Sequence, residues 1–245
     1  MRAHKLLIFI TGFLFMVNMS YGQQDIEKDS FETGGGALEL WFIGHGTLMF
    51  EYNDLIIHID PVSREADYST LPDADLILIT HEHGDHLDQA AIKKILKDDT
   101  QIICNEASSP GLGNCLVMAN GDKTLFKGIN IEAVPAYNIK NERSPGNPFH
   151  PRGRGNGYIL DLGGKRIYVA GDTENIPEMK GFRDIDIAFL PMSLPYTMSP
   201  QMAADAALMI MPGILYPYHF GSSDTGELVK LLDGTGIDVR IRKLQ

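Results

Sequence analysis

From Ala37 onward the chain breaks into short apolar runs: LELWFI, TLMFEY, LIIHID, LILIT, IEAVPA, GYILDL, RIYVAG, DIAFLP and GILYPY. Most are rich in Ile, Val, Leu and Tyr and bounded by Gly, Pro, Asn or Asp. This is the texture of sheet strands; a helix would need its apolar face to recur at a 3.6-residue period over a longer stretch. Helical patterning is confined to a few segments. DQAAIKKILKD (88–98) sets Ala91, Ile92, Ile95 and Leu96 on one face, SPQMAADAALMIM (199–211) opens with Ser199 as N-cap and Pro200 in the first turn, and TGELVKLL (225–232) follows the last strand. The strands come in two batches, each followed by helix, with no low-complexity linker and no repeat between them. The pattern predicts one α/β domain over residues 37–245, two packed sheets with helices outside.

The N-terminus has a different texture. Arg2, His4 and Lys5 precede the apolar run LLIFITGFLFMV, and Ser20, Tyr21 and Gly22 follow, the order of a cleavable signal peptide over residues 1–22. The run is short for a bilayer span, so the chain is expected to be exported, periplasmic or secreted, with no stable membrane span after cleavage. Residues 23–36 (QQDIEKDSFETGGG) are polar, end in three glycines and read as a flexible lead-in. The whole chain carries a net charge of −11, and losing Arg2 and Lys5 with the signal leaves 19 basic against 32 acidic residues, or −13. Such a surface argues against binding nucleic acid or anionic membrane, both of which need a basic face. Cys104 and Cys115 flank the loop NEASSPGLGN outside any CxxC pattern, leaving a disulfide and two free thiols equally open.

LILIT runs directly into HEHGDHLD. The chain has 8 histidines, and His81, His83 and His86 stand beside Asp85 within six positions. Strand alternation puts His81 and His83 on one side where the strand runs out, and Gly84 permits the turn that brings round Asp85 and His86. Imidazole with carboxylate suits Zn, Fe or Mn, and a catalytic site of this kind keeps a position open for water. Asp172, after RIYVAG, and His219, after ILYPY, likewise close apolar runs.

THEHGDHLD resembles the HxHxDH signature of the metallo-β-lactamase superfamily, and the likeness extends over most of residues 38–220 through GHGTLMFEY, IDP, YVAGDTE and YPYHF. It is most similar to the branch that includes ascorbate-phosphate lactonase. The resemblance implies a four-layer αββα sandwich with two divalent metal ions at one edge, zinc first and Mn or Fe as alternatives. His81 and His83 would belong to the first site, Asp85, His86 and His219 to the second, and Asp172 would bridge. One departure stands out. Where the family carries a further histidine this chain reads VPAYNIKN, and the next histidine is His150 in NPFHPRGRGNGY. The missing ligand is then His150, Tyr137, Asn138 or water.

Other roles follow around this set. Asp85 is a candidate proton acceptor for the attacking water as well as a ligand, and His150 a ligand or substrate-binding group. His45, between two glycines, is expected beside the site but outside the ligand set; His58 reads as a packed strand residue, and Asp60 as an orienting partner for a ligand histidine. The loop 140–157 carries Arg143, Arg152 and Arg154, either to hold an anionic substrate or as a solvated loop. The expected function is metal-dependent hydrolysis of a small anionic ester, lactone or phosphodiester, with a metal-binding protein lacking turnover and a nuclease as alternatives. The acidic net charge counts against the nuclease.

Overall fold

The computed structural model describes residues 26–245; the signal peptide read over residues 1–22 lies outside the described residues. Its first sheet follows chain order: β1 (Glu27–Thr33), β2 (Gly36–Gly44), β3 (Thr47–Tyr52), β4 (Leu55–Ile59), β5 (Leu76–Leu78), β6 (Gln101–Cys104) and β7 (Cys115–Val117). Pairing is antiparallel from β1 to β4 and parallel from β4 to β7. Helix α1 (Gln89–Ile95) makes the crossover from β5 to β6.

The second sheet is built from β8 (Lys123–Phe126), β9 (Ile129–Ala136), β12 (Gly155–Leu162), β13 (Lys165–Val169), β14 (Ile187–Pro191), β15 (Ile214–Tyr218) and β16 (Asp238–Val239), with the hairpin β10 (Glu142–Ser144) and β11 (Asn147–Pro148) between β9 and β12. Here too the first strands pair antiparallel, and β13 to β16 pair parallel. Helices α2 (Pro200–Ile210) and α3 (Thr225–Leu231) make the parallel crossovers.

Side-chain alternation explains the layering. Phe42 and Phe50 of the first sheet meet Phe189 and Tyr216 of the second with ring centroids 4.9 to 6.3 Å apart, which makes these the facing pleats. The opposite pleat of the first sheet, with Ile77, Ile79 and Ile102, packs on Ala91, Ile92 and Ile95 of α1. Strand β5 is therefore apolar at every position because both of its faces are covered. Ala203, Ala206, Ala207 and Ile210 of α2 join the main core. The result is the αββα sandwich of a single domain.

Two sequence expectations need correction. Residues 27–33, read as part of a flexible lead-in, form a full edge strand on β2. Their polarity concealed it, because Lys28 pairs with Glu39 of the neighbouring strand at 2.9 Å, and Asp29 is held by Arg242 at 2.7 Å, while Phe31 packs on the core. Leu96, assigned to the buried face of the first helix, instead caps it in an extended conformation and is exposed.

Candidate metal centre

The parallel strands β4, β5, β13 and β15 end at one edge of the sandwich, and the β2–β3 turn reaches the same place. Non-glycine residues with left-handed backbone recur there: His45 (φ 49°), Asp60 (φ 46°) and His219 (φ 48°). His and Asp tolerate this region better than most residues, and each sharp turn aims a side chain back across the strand ends. Gly171 (φ 63°) performs the same reversal ahead of Asp172. At Gly46 the reason is space, since a Cβ would stand 2.6 Å from the His86 ring.

Asp60 organises the strand-end turn. Its carboxylate accepts the Thr80 amide (2.8 Å) and hydroxyl (2.6 Å) and contacts His86 Nδ1 at 2.7 Å. That last bond places the His86 hydrogen on Nδ1 and turns the Nε2 lone pair toward Asp172 Oδ1, 3.4 Å away. His86 and Leu87 donate their amides to the His83 carbonyl, closing the turn around Gly84.

Two donor sets converge. In the first, His83 Nδ1 lies 3.1 Å from His81 Nε2 and 3.2 Å from His150 Nε2, and Asp172 Oδ2 lies 3.2 Å from His150 Nε2 and 3.8 Å from His81 Nε2. In the second, His219 Nε2 lies 3.5 Å from both Asp85 Oδ2 and Asp172 Oδ2, with His86 on the other side of Asp172. A tetrahedral ion at ligand distances of about 2.0–2.1 Å requires donor atoms roughly 3.3 Å apart, so these spacings fit ligands around a cation. Asp172 stands between the two sets.

The structure brings all the sequence-predicted ligands together and places His150 among them. Asn138 Oδ1 accepts the His150 amide at 2.8 Å and contacts its Nδ1 at 2.7 Å, which leaves Nε2 facing the site. Asn138 is in turn fixed by Glu174, whose buried carboxylate also accepts the backbone amides of Ile139, Lys140 and Asn141. Tyr137 donates its hydroxyl to Glu178 at 2.9 Å. His45 lies beside the site as expected: its Nε2 is 3.4 Å from Asp85 Oδ2, its ring is tilted against His219 with centroids 3.8 Å apart, and its donor atom groups with those of Asp85, His86 and His219 within 4.8 Å. Glu174 escaped the sequence reading altogether, and Asn138, read there as a candidate ligand, instead supports His150 from behind. The only available signal was an acid two residues after Asp172, which reads as a turn until its burial is known.

The electrostatics match a cation site. His86 Nε2, Asp172 Oδ1 and both ring nitrogens of His219 are buried without a hydrogen-bond partner, at a cost of about 1–3 kcal/mol for each such group. Burial opposes charge on Asp172, but His219 and His86 outweigh it and hold the carboxyl well below its usual range. Burial likewise works against Asp85, and the His219 and His45 imidazoles more than offset it. Burial, with His86 second, keeps His81 neutral. His86 itself, desolvated but flanked by Asp172 and Asp60, is pushed up to about 9. Ionised carboxylates and a neutral imidazole are the ligating forms, and a metal would displace the proton from His86 Nε2.

The three loop arginines are not equivalent. Arg152 pairs with Glu178 at 2.7 Å, away from the site, and Arg154 pairs with Glu82 at 2.5 Å while lining a small pocket beside His81, His83 and His150. Arg143, on β10, instead contacts His83 Nε2 at 3.2 Å at the mouth of the site. Cys104 and Cys115 are free thiols on adjacent strands.

Comparison with known proteins gives consistent results. The β-lactamase superfamily domain matches residues 39–219. A protein of Thermococcus kodakarensis named as a UPF0173 metal-dependent hydrolase is 33% identical over 194 residues, covering 74% of this chain and 84% of that one. A crystal structure from Parabacteroides distasonis, assigned as a metal-dependent hydrolase, superposes with a TM-score of 0.86 at 55% identity over 90% of this chain and 100% of the other. Igni18, a metallo hydrolase of Ignicoccus hospitalis, shares the fold with a TM-score of 0.67 at 23% identity, covering 84% of this chain and 95% of its own.

Proposed function

Since the chain belongs to the metallo-β-lactamase superfamily, we propose that it is a hydrolase that works with two divalent cations on a small anionic ester, lactone or phosphodiester. The lactone-cleaving branch that its HEHGDH motif resembles is one form of this reading. The observation that carries it is Asp172, which groups with His81, His83 and His150 and lies 3.5 Å from His219 of the second set, where buried nitrogens of His86 and His219 lack a hydrogen-bond partner. Nitrogen and oxygen donors without thiolate suit zinc first, with iron or manganese on the same ligands.

Cations bound there supply Lewis acidity and a water acidic enough to attack near neutral pH. The chain's own residues do the rest. His81, His83 and His150 would hold one ion and Asp85, His86 and His219 the other, with Asp172 shared. Asp85 is partly solvent-exposed, stays ionised and lines the cleft, which places it to accept the proton released by the attacking water. His45, its ring tilted against His219 and its Nε2 3.4 Å from Asp85, orients that carboxylate. A net charge of −11 disfavours a polyanionic duplex and favours a small molecule.

Elemental analysis of the purified protein, followed by a panel of ester, lactone and phosphodiester substrates with and without chelator, tests this reading. Two ions per chain and chelator-sensitive turnover are expected. One loosely held ion with no turnover would make the chain a metal-binding module instead.

A further inference from the structure

The strand-end cleft has a volume of about 410 Å³ and is lined by Asp85, Arg143, His150, Ser193, Tyr196 and His219 among others. That size suits a small molecule, within the roughly 300–1,000 Å³ of ligand pockets. Resting on the hydrolase reading above, we propose that Arg143 is the residue that binds the anionic group of the substrate and selects a carboxylate or phosphate beside the scissile bond.

Three observations converge on it. Arg143 is the one arginine of its loop that faces the cleft, and among the described residues no carboxylate pairs with it, whereas Arg152 and Arg154 are committed to Glu178 and Glu82. Its guanidinium lies 5.2 Å from the Phe149 ring centre, and Phe149 packs edge-on against Tyr196 at 5.1 Å. The cation is thus held over an aromatic wall at the cleft mouth, and less order has to be bought when a ligand binds. Finally, its contact with His83 conflicts with the ligand geometry. Nδ1 of His83 faces His81 Nε2 and His150 Nε2, and an imidazole that gives its Nδ1 lone pair to a cation carries its hydrogen on Nε2. Nε2 then offers Arg143 no acceptor. A metal-loaded site leaves the guanidinium, five donors in a planar fork, without a partner in the protein and matched to a carboxylate or phosphate.

Two readouts on the metal-loaded protein test this. The first is calorimetric binding of inorganic phosphate. The second is hydrolysis of paired esters that share a leaving group, one with a free carboxylate on the acyl part and one with that carboxylate capped as an amide. Arg143→Gln is expected to weaken phosphate binding roughly tenfold or more and to lower the anionic-to-neutral ratio of kcat/KM by a similar factor, mainly through KM, with partial recovery in Arg143→Lys. Arg152→Gln is expected to keep the ratio of the parent. An unchanged phosphate affinity and ratio in Arg143→Gln, or the same loss in the Arg152→Gln control, overturns the proposal while leaving hydrolysis standing. Phosphate binding that depends on Arg143 without turnover of these esters or of any ester, lactone or phosphodiester of the panel would instead overturn the hydrolase reading and leave Arg143 as an anion site.

Discussion

The Asn138 side chain holds His150 through contacts with its backbone amide and its ring at 2.8 and 2.7 Å. Truncating it removes that support without touching the core. Asn138→Ala is predicted to weaken zinc binding roughly ten- to a hundredfold, the usual effect of losing a partner behind a ligand, in a competition titration against a chelating dye. Unchanged affinity would show that His150 is not a ligand. The residue scale also contains a pH term. His58 is buried on β4, its Nε2 bonded to the Pro72 carbonyl at 3.0 Å, and burial pushes its pKa down to about 4. A depressed folded pKa stabilises the fold above the unfolded value near 6.5, and that contribution is lost as pH falls toward 4, up to roughly 3 kcal/mol. Denaturation midpoints of the parent should therefore drop more steeply between about pH 6.5 and 4 than those of His58→Phe. Parallel slopes would refute the assignment. The contiguous HEHGDH cluster was legible in the sequence because strand alternation and one glycine suffice to gather it. The Glu174–Asn138–His150 chain was not, because its members lie 12 and 36 residues apart and meet only through a loop path that no periodicity encodes.

At the scale of elements, legibility followed burial. The apolar runs that read as strands are β2 to β5, β9 and β12 to β15, which form the middle of the two sheets together with β6, a buried four-residue strand that the sequence pattern did not reveal. Strands β1, β7, β8 and β16 lie at sheet edges, where short length or paired charge replaces an apolar signal. Helix α1 was readable from its apolar face, Asp88 caps it by accepting the Ala90 amide at 2.7 Å, and Ile92 and Ile95 seal the outer pleat of the first sheet. Ile92→Ala is predicted to destabilise the fold by about 2–4 kcal/mol, seen as a lower midpoint in urea with an unchanged slope. A loss under about 0.5 kcal/mol, ordinary for a surface substitution, would contradict the packing described.

For the whole molecule, the acidic surface and the strand-end edge act together: a chain of net charge −11 places an exposed arginine, Arg143, at the mouth of its candidate site. Among the described residues no helix is long and apolar enough to cross a membrane. We propose that residues 1–22 direct export, and N-terminal sequencing of protein made by its native host should find a start near Gln23; a start at Met1 would refute it. The central claim is that two cations share Asp172. Anomalous diffraction at the zinc edge from crystals of the zinc-loaded protein tests it most directly. Two peaks are predicted, one about 2.0–2.2 Å from donor atoms of His81, His83 and His150 and one at the same distance from Asp85, His86 and His219, with Asp172 reaching both. A single peak, or peaks away from these side chains, would contradict it.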